Sequence, residues 1–418
     1  MRILIHDYAG HPAPIFLSRS LAARGHQVTH AWFAADSGPK GRLHRNETDP
    51  KSLVFAPLGA SLAYSKTKLW QRRRGDIAYG KELAKLVTQI SPDLVLSGNT
   101  PTEAQEALLD ACARTQSRFV YWCQDFYALA AAQILARKLP LLGQLVGSYY
   151  RHLERRQMQR AAAIILITED FCRQTDAWGL ARDKIAVIPN WGPIAEIEVQ
   201  ARDTDWGQRH QLQAGARFVY TGTLAQKHNP ALLSALAQKL GPEEELLLIA
   251  SGSGADDLAA QTSATQLQRL RLLGLQPIES FGQVLASGDV LLAVIERDAG
   301  SFSVPSKILS YLCAGRPIVL AAPKHNLAAQ ILRRSGAGQV VDPEDTAGFV
   351  GAALAYRDDP AAARRAGAAG RAYAEAQFDL AAITDRFEAV FAKACAVSDL
   401  AHPPPAPARA ALTQRQLG

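Results

Sequence analysis

The sequence predicts an α/β protein built from two doubly wound, Rossmann-like domains. Short runs rich in Ile, Val and Leu alternate with amphipathic helical stretches from residue 2 to about residue 377. A polar, charged stretch beginning at Gly192 interrupts that alternation once, near the middle of the chain. At 418 residues the chain also exceeds what a single hydrophobic core serves.

Taken in order, Arg2 to Asp7 reads as the first strand, Gly10 to Pro14 as a loop and Ile15 to Gly25 as a helix. His26 to Phe33 begins the next strand, and further strands are predicted at 93–97, 118–122, 163–168 and 184–188. The second series starts at Arg217 and continues through 245–250, 269–273, 290–295, 317–321 and 338–341. The reading is therefore a first domain over 1–192, a linker over 193–209 and a second domain over 210–377. Residues 378–395 form a terminal amphipathic helix, and the Pro-rich 396–418 a disordered tail. Sheets of this kind bind ligands at the carboxyl ends of their strands, so the facing edges are expected to form one cleft.

Composition narrows the partners. No stretch approaches the ~18 uncharged apolar residues of a spanning helix, and the apolar run at the start is too short for a signal peptide. Five scattered cysteines without metal-ligand spacing suggest buried thiols in a reducing cytoplasm. A net charge of +7 leaves phosphorylated substrates, an anionic membrane or nucleic acid as partners. No nucleic-acid module accompanies the charge, so nucleic acid is not expected. The basic residues cluster at Lys66, Lys68, Arg72, Arg73 and Arg74 around Trp70, and at Arg151, Arg155, Arg156 and Arg160 on one helix. Such runs fit either a solvated helix face or attachment to anionic lipid.

The most informative stretch runs from Ser303 to Leu320. It reads as a loop, a helix opened by Pro305, a left-handed stop at Gly315 and a buried strand after Pro317. Ser306 and Lys307 lie at the helix N-terminus, which favours an anion. This Pro-Ser-Lys stretch resembles the donor-site segment of family 4 glycosyltransferases of GT-B fold, and within them bacterial colanic-acid and O-antigen sugar transferases. Ile188-Pro189-Asn190-Trp191-Gly192, after Thr168-Glu169, resembles the Pro-Asn signature that ends the first domain in that family. The resemblance covers roughly residues 1–395 and implies that the terminal helix crosses back to the first domain.

Other segments gain meaning in that frame. Tyr220 to Lys227 resembles the glycine-bearing loop and lysine that hold the donor diphosphate; Gly222, Thr223 and Lys227 are its members, with Thr223 where many relatives have arginine. Lys227 then shares the charge with Lys307. Gly252, in a Gly-x-Gly turn, lies by the nucleotide in similar enzymes; the turn lacks the rest of a dinucleotide fingerprint. Gln276 and Ile278 fall in the stretch whose backbone meets the nucleobase. Most family members carry two glutamates eight positions apart, and the corresponding positions here are near Phe302 and at Ser310. The Pro-Ser-Lys subgroup is similar in lacking the usual second one. Ser306 or Ser310 would then bond the ribose, and Glu296 and Asp298 the sugar hydroxyls. In the first domain Gly10 allows close backbone approach and His11 offers a contact to phosphate or hydroxyl. Asp125 is the candidate acceptor or sugar contact, since Gln124 stands where many relatives have histidine.

The resemblance implies a retaining transferase of hexosyl or N-acetylhexosaminyl type. It would move a sugar from a nucleoside diphosphate sugar to a hydroxyl, with a polyprenyl-diphosphate-linked saccharide of cell-surface polysaccharide or lipopolysaccharide synthesis as acceptor. No Asp-x-Asp motif stands in a suitable position, so neither metal nor cofactor is expected. Lys227, Lys307 and helix N-termini would stabilise the departing diphosphate, with Asp125 at the acceptor. Two other readings stay open: a GT-B-like sugar-nucleotide epimerase, and a non-catalytic sugar-nucleotide-binding partner of a polysaccharide assembly complex. The expected location is the inner face of the cytoplasmic membrane. Arg72 to Arg74 around Trp70, with Leu139, Leu141 and Leu142 beside Arg137 and Lys138, would supply peripheral attachment.

Overall fold

Parallel strands bury both faces, so their sequences are apolar at nearly every position; Ile3, Leu4 and Ile5 are all buried in the first of them. A computed structural model describes residues 1–36, 40–62, 69–138, 140–265, 268–296 and 306–396. In the first half β1 (Arg2–Asp7), β2 (Gln27–Phe33), β3 (Leu53–Leu58), β4 (Leu94–Gly98), β5 (Arg118–Cys123), β6 (Ala163–Leu166) and β7 (Ile185–Val187) form one sheet. Its order is β3-β2-β1-β4-β5-β6-β7, parallel throughout. In the second half β8 (Arg217–Thr223), β9 (Glu245–Ser251), β10 (Leu270–Leu273), β11 (Val290–Val294), β12 (Ile318–Ala321) and β13 (Gly338–Val341) form another. Its order is β10-β9-β8-β11-β12-β13, again parallel. Strand order reverses between β1 and β4 and between β8 and β11, and crevices open at such switch points.

Several elements differ from expectation for identifiable reasons. Strand β3 is absent from the sequence reading because Pro57 interrupts its run; as an edge strand paired only with β2, it tolerates the missing donor. The first helix is Pro12–Ala23, three residues earlier than expected, because Pro12 occupies a first-turn position where its missing N–H costs nothing. Strand β8 runs on through Gly222 and Thr223, which pair with Ala250 and Ser251 of β9; the expected loop begins only after them. The 193–209 segment is anchored along its length. Ile197 and Trp206 are buried, and Arg371 and Arg316 bond the carbonyls of Ile197 and Gln200. It also holds a short helix, Asp205–Arg209, capped by Thr204. Two apolar anchors so far apart leave no periodic signal.

The terminal helix Leu380–Ala396 lies on the first domain. Phe387 is fully buried, edge-on to Trp122 at 5.1 Å and to Trp191 at 5.9 Å. Arg24 bonds Asp385 and Glu388, each at 2.5 Å, and His26 bonds Glu388 at 2.9 Å. The two domains also touch at Gly192, where a Cβ would lie 2.4 Å from the Leu309 carbonyl oxygen of helix Ser306–Cys313. The expected tail, beyond Ala396, lies outside the described residues, as do Lys66, Lys68, Leu139 and residues 297–305, Asp298 among them.

Candidate active site

The carboxyl ends of the two sheets enclose a cleft of about 270 Å³, lined by His11, Asn99, Gln124, Asp125 and Asn190 from one side and Ser306 and Ser310 from the other. On the first wall, Asp7 ends β1 and is fully buried. It accepts bonds from the Asn99 amide at 2.7 Å and the His11 backbone N–H at 2.6 Å, and its Oδ2 lies 3.5 Å from His11 Nδ1. Burial alone would raise its carboxyl, but the His11 charge and the hydrogen bonds of His11 and Asn99 bring it down to about 2. His11 moves the other way: burial lowers it, and Asp7 more than compensates, so its pKa is raised and the charged ring is favoured.

Asp125 follows β5 and is exposed to the cleft, where desolvation by the surrounding walls lifts its carboxyl to about 6. Beneath it the buried Glu154 accepts the backbone N–H groups of Tyr127 and Ala128, each at 3.1 Å, and closes the start of helix Tyr127–Lys138. Burial raises that carboxyl to about 8. A polar side pocket of about 140 Å³ opens behind Asp125, toward Ser97 and Gln105. Gln124 accepts a bond from Asn190 at 2.7 Å, which ties β5 to the interdomain turn.

Next to the second wall lies a cationic patch. Gly222, at the end of β8 with φ +97°, presents a face without a side chain. Lys307 fills that space: its Nζ lies 3.7 Å from where a Cβ on Gly222 would stand and 3.9 Å from the centroid of the Tyr220 ring. Desolvation pulls its ammonium down to about 7, and it has no ion-pair partner among the described residues. Tyr311 holds the helix in place, accepting from the Thr221 N–H at 3.0 Å and donating to the Leu292 carbonyl at 3.2 Å. Lys227 pairs with Glu296 at 2.9 Å, so two residues expected on separate errands neutralise each other. His228 accepts the Ala225 N–H through Nδ1 and is lowered by burial together with Lys307 and Lys227.

The structure thus brings His11, Asp125, Ser306 and Ser310 to one cleft; Gly222 and Lys307 lie together beside it, next to Ser306 but outside its lining. Gly10 turns the chain with a φ of +73°, packs close to Leu43, 2.9 Å from a Cβ built there, and lies outside the lining of the cleft. Gly252 packs against the Leu224 carbonyl, and Thr223 lies exposed beside it. The Gln276 side chain accepts from the Trp206 indole at 3.1 Å; Ile278 opens a short 3-10 turn whose Glu279 lies 3.6 Å from Arg42 of the first domain. Sequence reasoning missed Asp7, Asn99 and His228. The run Gly98-Asn99-Thr100-Pro101 at a strand end was the available signal for Asn99, whose φ is +54°.

Part of the expected basic surface is internally paired. Arg156 and Arg160 bond Glu106, Arg160 also bonds Asp110, and Arg73 bonds Glu103. Arg74 is exposed, as are Trp70 at 79%, Leu145 at 71% and Tyr149 at 54%. Among the described residues, no helix is long and apolar enough to cross a membrane, and no group of three His, Cys, Asp or Glu is placed to hold a metal ion. Cys112, Cys123, Cys172 and Cys313 are buried and unbridged, while Cys395 is partly exposed.

Residues 17–191 match the model of a family described as glycosyl transferase 4-like domain. No curated protein matches the sequence. Among solved structures the chain is similar to sucrose-phosphate synthase from Thermosynechococcus elongatus, at 16% identity and a TM-score of 0.69, covering 95% of this chain and 100% of that one. It is similar to Anabaena HepE in complex with UDP-glucose, at 17% identity and a TM-score of 0.68, covering 94% and 99%. A third similar structure is WaaG, a glycosyltransferase involved in lipopolysaccharide biosynthesis, at 13% identity and a TM-score of 0.64, covering 93% and 98%. At such identities the likeness is one of fold. Residues 17–191 thus match a glycosyl transferase 4-like domain, and the two halves together have the GT-B fold of these structures.

Proposed function

We propose that the protein transfers a glycosyl group from a nucleoside diphosphate sugar to a hydroxyl acceptor. The observation that carries this reading is Lys307: an ammonium desolvated and without a carboxylate partner among the described residues, set beside the side-chain-free face of Gly222 at the sheet's switch point. A group held at that cost is matched by an incoming anion, and HepE was solved with UDP-glucose in the same fold. In the proposed reaction the bond from the sugar's anomeric carbon to the diphosphate oxygen breaks, and the electron pair leaves with the diphosphate. Lys307, together with Lys227 once released from Glu296, stabilises that growing charge without a required divalent ion. The acceptor oxygen bonds the anomeric carbon on the face the leaving group occupied, retaining configuration, and its proton passes to the departing phosphate oxygen. Asp125 accepts a hydrogen bond from the acceptor hydroxyl, and His11 donates a ring N–H to the sugar or phosphate.

The finer reading is of a hexose or N-acetylhexosamine transferred to a polyprenyl-diphosphate-linked saccharide at the inner membrane face. Exposed Trp70, Leu145 and Tyr149 with Arg74 support a lipid-facing first domain. The test is thermal stabilisation by a panel of UDP-, GDP- and dTDP-sugars, followed by incubation of the best donor with and without saccharide acceptors. Stabilisation by none of them sinks the reading. Epimer formation from donor alone replaces transfer by isomerisation, and binding without turnover leaves a non-catalytic partner.

A further inference from the structure

A second cavity of about 350 Å³ lies at the hinge end of the interdomain space, within the size range of small-molecule sites. It shares Ile167, Asn190 and Leu309 with the cleft described above, and these three side chains partition the two. Nothing in the proposed transfer uses it.

Its walls come from both domains and have balanced charge. Glu169 and Asp170, after β6, face it from the first domain; Arg334 of helix Leu327–Ser335 faces it from the second, and Arg386 of the terminal helix completes the rim. Arg386 is engaged by the Val187 carbonyl at 2.5 Å, and Asp170 lies 3.8 Å from Arg173. Arg334 and the Gln377 amide are exposed and Tyr373 half-buried, and none of them makes a side-chain hydrogen bond or ion pair with another described residue. The Asn190 Oδ1 is buried and without a partner, although its Nδ2 bonds Gln124. The apolar remainder includes Leu327 and Phe378, with the Tyr373 ring edge-on to Phe378 at 6.2 Å.

Two carboxylates set against two guanidinium groups do not favour a diphosphate. Unpaired donors and acceptors of both kinds, beside aromatic and aliphatic surface, match a ligand with alternating hydroxyls on a rigid ring. We infer that this cavity is a second saccharide-binding site, distinct from the catalytic cleft and bridging the two domains. It holds one or two sugar units through Glu169, Arg334, Tyr373 and Gln377. Because its walls belong to both domains, an occupied site also restrains the hinge.

The experiment is saturation-transfer NMR on the full chain saturated with UDP, using glucose, N-acetylglucosamine and glucuronate as probes. At least one probe should show transfer from the protein. Arg334→Met and Tyr373→Phe should each weaken it roughly tenfold, as for a lost hydrogen bond to the ligand. His11→Gln and Asp125→Asn, which alter the cleft, should leave it unchanged. UDP binding, read separately by calorimetry, should be the same in Arg334→Met as in the wild type. Absence of transfer from all three probes overturns the inference. So does transfer that survives both hinge-site changes, or transfer that disappears with the cleft changes. Failure of UDP to bind would count against the transferase reading alone, since sugar binding at the hinge cavity is measured independently.

Discussion

Replacing Lys307 with methionine is expected to stabilise the second domain while weakening nucleotide binding, a pair of opposite signs that a purely structural lysine does not give. The stem keeps its length over the Tyr220 ring, 3.9 Å from Nζ in the wild type, and only the charge is lost. Desolvation takes this ammonium from 10.5 to about 7. A shift of that size corresponds to roughly 5 kcal/mol before any discount. Partial solvent access, and a cation–π contact worth about 1 kcal/mol, reduce the expected net gain to on the order of 1–2 kcal/mol, a rise of a few degrees in melting temperature. The sign with pH follows from the same shift. Between about 7 and 10.5 the unfolded chain holds this proton and the folded one releases it, so wild-type stability rises with pH across that window. The variant lacks that rise. A bound diphosphate favours the ammonium and raises its pKa, so wild-type affinity for UDP is highest below about pH 7 and falls above it, by at most tenfold per unit. Methionine should cost roughly 10- to 100-fold in affinity at neutral pH, as for one charge-assisted hydrogen bond, and flatten the profile. Calorimetric titration with UDP at several pH values, beside thermal denaturation, reads both effects. An unchanged dissociation constant, or a variant less stable than wild type, refutes the reasoning.

Other outcomes follow from the same structure. Asp125→Asn should lower single-turnover transfer about 100-fold with UDP binding intact, and the wild-type rate should climb as pH rises through about 6, where this carboxyl ionises. Gly192→Val places atoms inside the contact with Leu309 and Cys313, where a Cβ alone would stand 2.4 and 2.8 Å away. It should cost about 1–3 kcal/mol and open the domains in small-angle scattering. Phe387→Ala removes the buried ring that seats the terminal helix on Trp122 and Trp191, for about 3–5 kcal/mol by denaturant unfolding. Wild-type protein should co-sediment with anionic vesicles at low salt. Trp70→Ala combined with glutamine at Arg72, Arg73 and Arg74 should weaken this by about 1 kcal/mol for each cation that faces lipid. Indifference of the wild type to such vesicles removes the membrane reading.

The two-sheet fold was legible in the sequence because parallel strands bury both faces and leave uninterrupted apolar runs, as at Ile3 to Ile5 and Leu246 to Ile249. The turn at Gly315 was legible for a similar local reason: only glycine readily adopts its φ of +67°. Strand β3 was not, since an edge strand is half exposed and Pro57 erases its pattern. Individual candidates at the site could be named from strand ends and from a family resemblance, but their partners could not. Hydrogen bonds such as Asn99 to Asp7, ninety-two residues apart, and Lys227 to Glu296, sixty-nine apart, leave no mark in local sequence. The same holds for the state of Lys307. Its chemistry at the helix start was readable, whereas its depressed pKa depends on the depth to which Gly222, Tyr220 and the surrounding fold withdraw it from water. By itself, then, the sequence determined the central strands of both sheets, most of their connecting helices and the residue types that end at the cleft. The tertiary structure alone decided which charges cancel, which stay desolvated and unpaired, and that the hinge encloses a second cavity. Those are properties of distance and dielectric, which arise only once segments remote in the chain are packed together.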